Sequence, residues 1–239
     1  MLTDEHIVAT AIAGVWMLPK ASCKRCQKMT TKLEGHCFAG TLKPFRTQIG
    51  MYGRKKRIPK SFGLPVMYPN GRAHIDEFPV SKFPATLIIP HFKSLPKILD
   101  GVPPNATDKI DAWGLMTWPD SGYPQYPAGT NISIIPAGFH GGKWCRMLAK
   151  IAHSHAVAMR GFNGFRPYLQ KMIRGMDNSY GHYLGGTLEI RPKDDFLHML
   201  TIKEWKSDKV PDKTFLVVTV RIFASFGAPE CIAVVGEII

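Results

Sequence analysis

The sequence predicts an α+β protein, because stretches with helical character and stretches with strand character follow one another without regular alternation. A strand and a short helix begin the chain, a proline-rich middle carries short β-like runs, and a long amphipathic helix precedes a strand-rich C-terminus. A basic run that ends at residue 57 marks the expected boundary. We therefore predict an N-terminal unit over residues 1–57 and a larger mixed α/β domain over residues 58–239.

The N-terminal unit is expected to contain a strand, a loop and two helices. Leu2 to Ala13 has the pattern of a short strand followed by a loop. Cys23 to Gly35 predicts a helix, since Ser22 is a favourable N-cap and Gly35 a favourable stop. Residues 39–48 favour a second short helix.

Proline dominates the middle of the chain. Thirteen prolines lie between residues 58 and 140, and each would remove a hydrogen bond from a helix interior. Short runs such as Ala85–Ile89 and Asn131–Ile135 have strand character. We therefore expect strands and long loops in this region, without a long helix.

The clearest helix runs from Lys143 to Arg160, where Met147, Leu148 and Ile151 repeat at helical spacing. Its polar side chains form a basic stripe opposite that apolar face, composed of Lys143, Arg146, Lys150 and His153. We interpret this stripe as a solvated surface.

After this helix, a second helix and a β-hairpin are expected. Arg166 to Arg174 has helical character. Phe215–Phe223 and Cys231–Val235 favour antiparallel strands, since the segment Gly227-Ala228-Pro229 between them is typical of a turn.

Positive charge is concentrated near the N-terminus. The chain carries 31 Lys and Arg against 18 Asp and Glu, a formal net charge of +13. Residues 1–60 hold 12 of these cations and 3 of the acids, a net charge of +9. A basic excess in one segment is typical of a polyanionic partner, most often nucleic acid. We predict DNA binding through Lys24, Arg25, Lys28, Arg54, Lys55, Lys56 and Arg57.

The sequence predicts no membrane partner. Its longest apolar stretch, Ile7 to Leu18, is shorter than a bilayer-spanning helix requires. Asp4 and Glu5 precede it where a secretory signal needs basic residues, so we expect a cytoplasmic location. In that reducing compartment, the pair Cys23 and Cys26 favours metal or redox chemistry over a structural disulfide.

An acidic residue beside a histidine at the end of a strand is a compact unit for hydrolysis. The Glu5 carboxylate can hold a hard divalent cation, and the His6 imidazole can take a proton from water. A helix that begins with a Cys-x-x-Cys pair such as Cys23 and Cys26 can be held in place by zinc.

Taken in order, these segments resemble a branch of the HNH endonuclease superfamily found in bacteria and phages. The likeness rests on LTDEHI at residues 2–7 and on LPKASCKRC at residues 18–26. Residues 146–153 (RMLAKIAH) and 223–229 (FASFGAP) resemble the large C-terminal region of the same proteins.

The resemblance implies a ββα-metal, treble-clef finger at the N-terminus with one catalytic divalent ion, Mg²⁺ or Mn²⁺. Glu5 would be a metal ligand and His6 the general base. The family commonly has His or Asn where this chain has Gln27. Gln27 and Glu34, which lies two helical turns later on the same face, complete the candidate ligand set.

The resemblance also assigns Cys23 and Cys26 to one half of a structural zinc site. Zinc needs four ligands, and three alternatives stay open. The other ligands come from cysteines upstream of the sequence, or His36 and Cys37 substitute for them, or the protein holds no zinc.

Together, these observations predict a metal-dependent HNH-type endonuclease that acts on DNA. The alternative is a catalytically degenerate relative, which binds nucleic acid without cleaving it or serves as an interaction protein of phage origin. This alternative is motivated by residues 14–19, which read Gly-Val-Trp-Met-Leu-Pro and offer no counterpart to the family's central Asn.

Overall fold

The computed structural model describes residues 2–52, 58–105, 110–117, 125–132, 139–189 and 191–239. The chain is a mixed α+β protein, as the sequence predicts. The predicted DNA-binding run Arg54–Arg57 lies outside the described residues, as do residues 133–135 of the expected strand at Asn131–Ile135.

An antiparallel hairpin and a helix that directly follows it form the N-terminal unit. A 3₁₀ turn in the hairpin connection buries Ile12 completely. The predicted N-cap at Ser22 is wrong by one residue, because Cys23 Sγ accepts the hydrogen bond from the Cys26 backbone N–H at 3.4 Å. The elements of this unit are β1 (Leu2–His6), β2 (Met17–Cys23) and α1 (Lys24–Glu34).

The predicted helix stop at Gly35 is wrong. Gly35 has helical backbone angles, and the chain continues through a π-helical segment, Gly35–Thr41, into α2 (Lys43–Gln48). Cys37 and Phe38 of the π-helical segment are completely buried. Their burial offsets the propensity of glycine to end a helix, which is worth only about 1 kcal/mol.

The middle of the chain contains short strands, as predicted, and their pairings are antiparallel. One sheet has the order β4-β3-β7, and β5 pairs separately with β6. The described part of residues 58–140 contains short 3₁₀ helices at Val80–Lys82 and Lys97–Asp100 but no long helix. The strands are β3 (Ser61–Met67), β4 (Ala73–Pro79), β5 (Ala85–His91), β6 (Asp111–Thr117) and β7 (Asn131–Ile132).

A long helix and an antiparallel sheet complete the chain. The helix is α3 (Gly141–Arg160), and the sheet has the order β10-β11-β12-β8, with β9 also paired to β12. Both the long helix and the C-terminal hairpin β11–β12 are confirmed. The remaining elements are β8 (Arg166–Pro167), α4 (Gln170–Ile173), α5 (Tyr180–Tyr183), β9 (Leu184–Gly185), β10 (His198–Ser207), β11 (Val210–Ile222) and β12 (Cys231–Glu237).

The predicted helix over Arg166–Arg174 is only partly correct. Its first residues form β8 and pair with Gly236 and Glu237 on β12. Pro167 also disfavours helical backbone angles at the residue before it. The helix is therefore limited to the single turn of α4.

One hydrophobic core contains residues from both sides of residue 57. Ile12 and Phe38 belong to the same buried cluster as Trp144 and Val218. Phe38 lies edge-on to Trp144, with ring centroids 5.6 Å apart. This shared core holds α1 beside α3, and the domain boundary near residue 57 stays a prediction.

The basic stripe on α3 is not a solvated surface along its whole length, which corrects our interpretation. Lys143 and Arg146 are partly exposed. The Lys150 side chain is only 3% exposed, and the Nδ1 atom of His153 is buried. The stripe therefore turns into the protein where α3 meets the N-terminal unit.

No helix in the described ranges is both long and apolar enough to cross a bilayer.

Candidate functional site

The predicted catalytic pair lies at the end of β1, and its two side chains have different surroundings. Consecutive strand residues point to opposite faces. Glu5 faces α1 and α3, where its Oε2 accepts a hydrogen bond from Thr30 Oγ1 at 3.4 Å. His6 Nδ1 is buried and has no hydrogen-bond partner among the described residues. The structure thus separates the predicted metal ligand from the predicted general base.

A buried lysine contacts the Glu5 carboxylate. Lys150 Nζ lies 2.9 Å from Glu5 Oε1 and 3.0 Å from Glu34 Oε1. It also donates to the backbone carbonyl of His6 and lies 3.4 Å from the backbone oxygen of Ile7. An ammonium ion this deeply buried is stable only when charged and polar partners replace its water. Here two carboxylates and two carbonyl groups provide that replacement.

Of the three predicted ligands for a catalytic metal, the structure brings two together. Glu5 and Glu34 both contact Lys150. Gln27 makes a separate contact, in which its Nε2 donates to the Asp4 backbone oxygen at 3.5 Å. Within the described parts of the chain, no group of three or more His, Cys, Asp or Glu side chains could hold a metal ion. The arrangement does not fit a divalent ion, because an ammonium group already lies between the carboxylates.

The two predicted zinc ligands lie at the start of α1. The pKa of the exposed Cys23 thiol is lowered by the Cys26 backbone N–H, and the pKa of the Cys26 thiol is raised by its hydrogen bond with Cys23. His36 Nδ1 lies 3.2 Å from Lys143 Nζ, and Cys37 is completely buried, which raises the pKa of its thiol to about 12. The described residues therefore supply two thiols of a tetrahedral site, and zinc stays a prediction.

A groove of about 480 Å³ runs between α1 and the first turns of α3. Its described lining contains no carboxylate. Arg146 is held in place there, since its Nε and Nη2 donate to the Ile173 carbonyl at 3.2 and 3.0 Å. We call this feature the basic groove; its polar lining consists of Arg25, Lys28, Lys32, His36, Lys143 and Arg146.

Two of the residues predicted to bind DNA line the basic groove, together with cationic residues outside the predicted set. Arg25 and Lys28 line the basic groove, whereas Lys24 begins the same helix without lining it. Lys32 was missed, although its spacing of four residues from Lys28 places both on one helix face. The sequence analysis placed Lys143 only in the basic stripe of α3, because the sequence did not indicate that α3 packs beside α1.

A cavity of about 690 Å³ adjoins the basic groove, and Arg25 and Met29 line both. Glu5 and Lys150 line one part of this cavity. His153 also lines it, and burial lowers the pKa of its imidazole to about 4. The apolar part of the lining consists of Leu18, Ala21, Met29, Val157, Phe162, Phe165, Pro167, Ile173 and Met176.

Comparisons with protein-family models, with curated proteins and with solved structures found no match to this chain. The likeness to HNH endonucleases consequently stays a prediction from the residues that carry it.

Proposed function

We propose that the protein binds nucleic acid, with DNA as the expected partner, through the basic groove of an HNH-like ββα unit. The observation that carries this proposal is the convergence of five cationic side chains on one groove. Three come from α1 and two from α3, more than 100 residues later in the chain. A general excess of solubilising charge would not require such convergence.

The surroundings of the groove favour a polyanion. Lys28 and Lys32 are exposed and form no ion pair within the described part of the chain, so their ammonium groups can reach phosphates. Glu34, the acidic residue at the end of the same helix, does not line the groove and pairs with Lys150 instead. Contacts to phosphates carry no base sequence information. We therefore expect binding without a strong sequence preference.

Reversing two charges of the groove is expected to weaken DNA binding. The Lys28→Glu/Lys32→Glu double variant should bind a labelled duplex about tenfold or more weakly than the wild-type chain. Each lost phosphate contact means that about one counterion fewer is released when DNA binds. The slope of log affinity against log salt should therefore become less steep by about 2. Fluorescence anisotropy across a salt titration measures both quantities.

The matched control is Lys193→Glu/Lys206→Glu, which changes the net charge equally at exposed positions outside the groove. This control should retain most of the affinity. Equal losses in both double variants would show that net charge alone governs binding. DNA affinity that is absent, or insensitive to salt, would contradict the proposal and favour an interaction protein.

The second candidate function is a metal-dependent endonuclease. It is favoured by the hairpin β1–β2 with α1 directly after it, which is the arrangement that the HNH resemblance implies. Glu5 would be the metal ligand and His6 the general base. Lys150 already pairs with Glu5, and for this reason we prefer the binding function over the catalytic one.

A nicking assay separates the two candidates. We expect the wild-type chain to bind supercoiled plasmid but not to nick it with Mg²⁺ or Mn²⁺, because Glu5 is engaged by Lys150. Gel electrophoresis with and without EDTA gives the readout. Divalent-dependent nicking that His6→Ala abolishes without loss of DNA affinity would establish the endonuclease instead.

A further inference from the structure

We propose that the ammonium group of Lys150 takes the place of the divalent cation that the HNH resemblance puts between the strand and the helix of the finger. The N-terminal unit would then assemble on α3 without a metal at this position. Removal of the lysine should uncover a cation site lined by oxygen atoms. This inference does not depend on nucleic-acid binding.

The atoms around Lys150 Nζ are the kind that a hard divalent cation prefers. They are carboxylate oxygens of Glu5 and Glu34 and backbone oxygens of His6 and Ile7. Mg²⁺, Mn²⁺ and Ca²⁺ favour carboxylate and carbonyl oxygen ligands. The two carboxylates together carry one more negative charge than a single ammonium group balances. A divalent ion would balance that charge fully.

The lysine has a structural advantage over a free ion. It belongs to α3 and lies between the buried residues Ala149 and Ile151, so the fold itself delivers its charge to the carboxylates. A divalent ion could enter only by displacing the ammonium group from its partners. That displacement would leave the buried ammonium group without compensation, which is strongly unfavourable. The wild-type chain should therefore reject divalent ions here.

The test compares Mn²⁺ binding by the wild-type chain and by Lys150→Met, measured by electron paramagnetic resonance and isothermal titration calorimetry. Methionine approximates the length of the lysine stem without its charge. We expect Lys150→Met to bind Mn²⁺ at least about tenfold more tightly than the wild-type chain. Its Tm should rise with Mn²⁺, whereas Mn²⁺ should leave the Tm of the wild-type chain unchanged.

Two further variants assign the binding to this cluster. Lys150→Met/Glu34→Gln should lose the gained affinity, since one carboxylate of the site is removed. Lys150→Met/Glu5→Gln/Glu34→Gln should fold without any response to Mn²⁺. If Lys150→Met does not fold in EDTA, recovery of its circular dichroism on refolding with Mn²⁺ supports the proposal in the same way.

Three results would overturn the proposal. The first is wild-type Mn²⁺ binding that is as tight as that of Lys150→Met and is lost in Glu34→Gln. The second is a folded Lys150→Met that gains no affinity. The third is a Lys150→Met chain that stays unfolded with Mn²⁺ while the triple variant folds.

Discussion

Lys150→Met is expected to lower the free energy of unfolding by about 3–5 kcal/mol in metal-free buffer. The substitution leaves the carboxylates of Glu5 and Glu34 close together without the cation that both contact. Glu5 is only 11% exposed and Glu34 only 22% exposed, so water cannot fully replace the ammonium group. Urea denaturation in EDTA, followed by circular dichroism, measures the loss.

The matched control for this loss is Lys171→Met. Lys171 is an exposed lysine of α4, and its replacement should change stability by no more than about 0.5 kcal/mol. The triple variant Lys150→Met/Glu5→Gln/Glu34→Gln should regain most of the stability that Lys150→Met loses. Its cluster is uncharged, so no buried ion needs compensation. If Lys150→Met were as mild as Lys171→Met, the buried cluster would not stabilise the fold.

The sequence predicted well those elements whose signal is local and long. The helix α3 was predicted because its apolar positions keep helical spacing over several turns, and the hairpin β11–β12 because a Gly-Ala-Pro turn separates two β-branched runs. The stop at Gly35 failed because burial of Phe38 outweighs a local preference. Strand β10 was missed because it alternates polar and apolar residues only weakly.

The cluster around Lys150 shows the same limit, since local sequence patterns do not reveal contacts between residues far apart in the chain. Glu5 and Glu34 could be selected from the sequence because of their position in the HNH-like segment. Their common partner could not, since Lys150 lies 116 residues after Glu34. Lys143, Lys150 and His153 have similar local surroundings in the sequence. Only the packing of α3 against the N-terminal unit leaves Lys143 partly exposed in the basic groove and buries Lys150.

Only the α1 wall of the basic groove could be predicted from the sequence. The charge excess of the first sixty residues drew attention to Arg25 and Lys28, which line the groove. The other wall required knowledge that α3 packs beside α1, which is a tertiary fact. Net charge can therefore indicate a class of partner, but it does not locate the surface that binds it.

His153→Met is expected to make the protein more resistant to acid. Burial lowers the pKa of His153 to about 4 in the folded chain, whereas an unfolded histidine has a pKa of about 6.5. Between these values the unfolded chain binds a proton that the folded chain does not. The stability that the neutral imidazole contributes is therefore complete above pH about 6.5 and is lost as the pH falls toward 4, by up to about 3 kcal/mol.

The structure explains why folded His153 resists protonation. Its Nδ1 is buried without a hydrogen-bond partner in the described parts of the chain, and its ring lies edge-on to Phe165 at 6.0 Å. Lys150, Arg174 and Arg25 line the same cavity, and Glu5, its acidic lining residue, is paired with Lys150. Among the described residues, no carboxylate forms an ion pair with His153 that would stabilise an imidazolium ion.

The acid effect can be measured as the difference between two pH profiles of stability. Wild-type and His153→Met chains are compared by urea denaturation from neutral pH down to about 4, and their curves should separate progressively below pH about 6.5. The pKa values of His155 and His198 are also lowered by burial, but both residues are present in both chains, so their contributions cancel. Parallel profiles, or an NMR titration that shows His153 protonating near its unfolded pKa, would contradict the buried neutral imidazole.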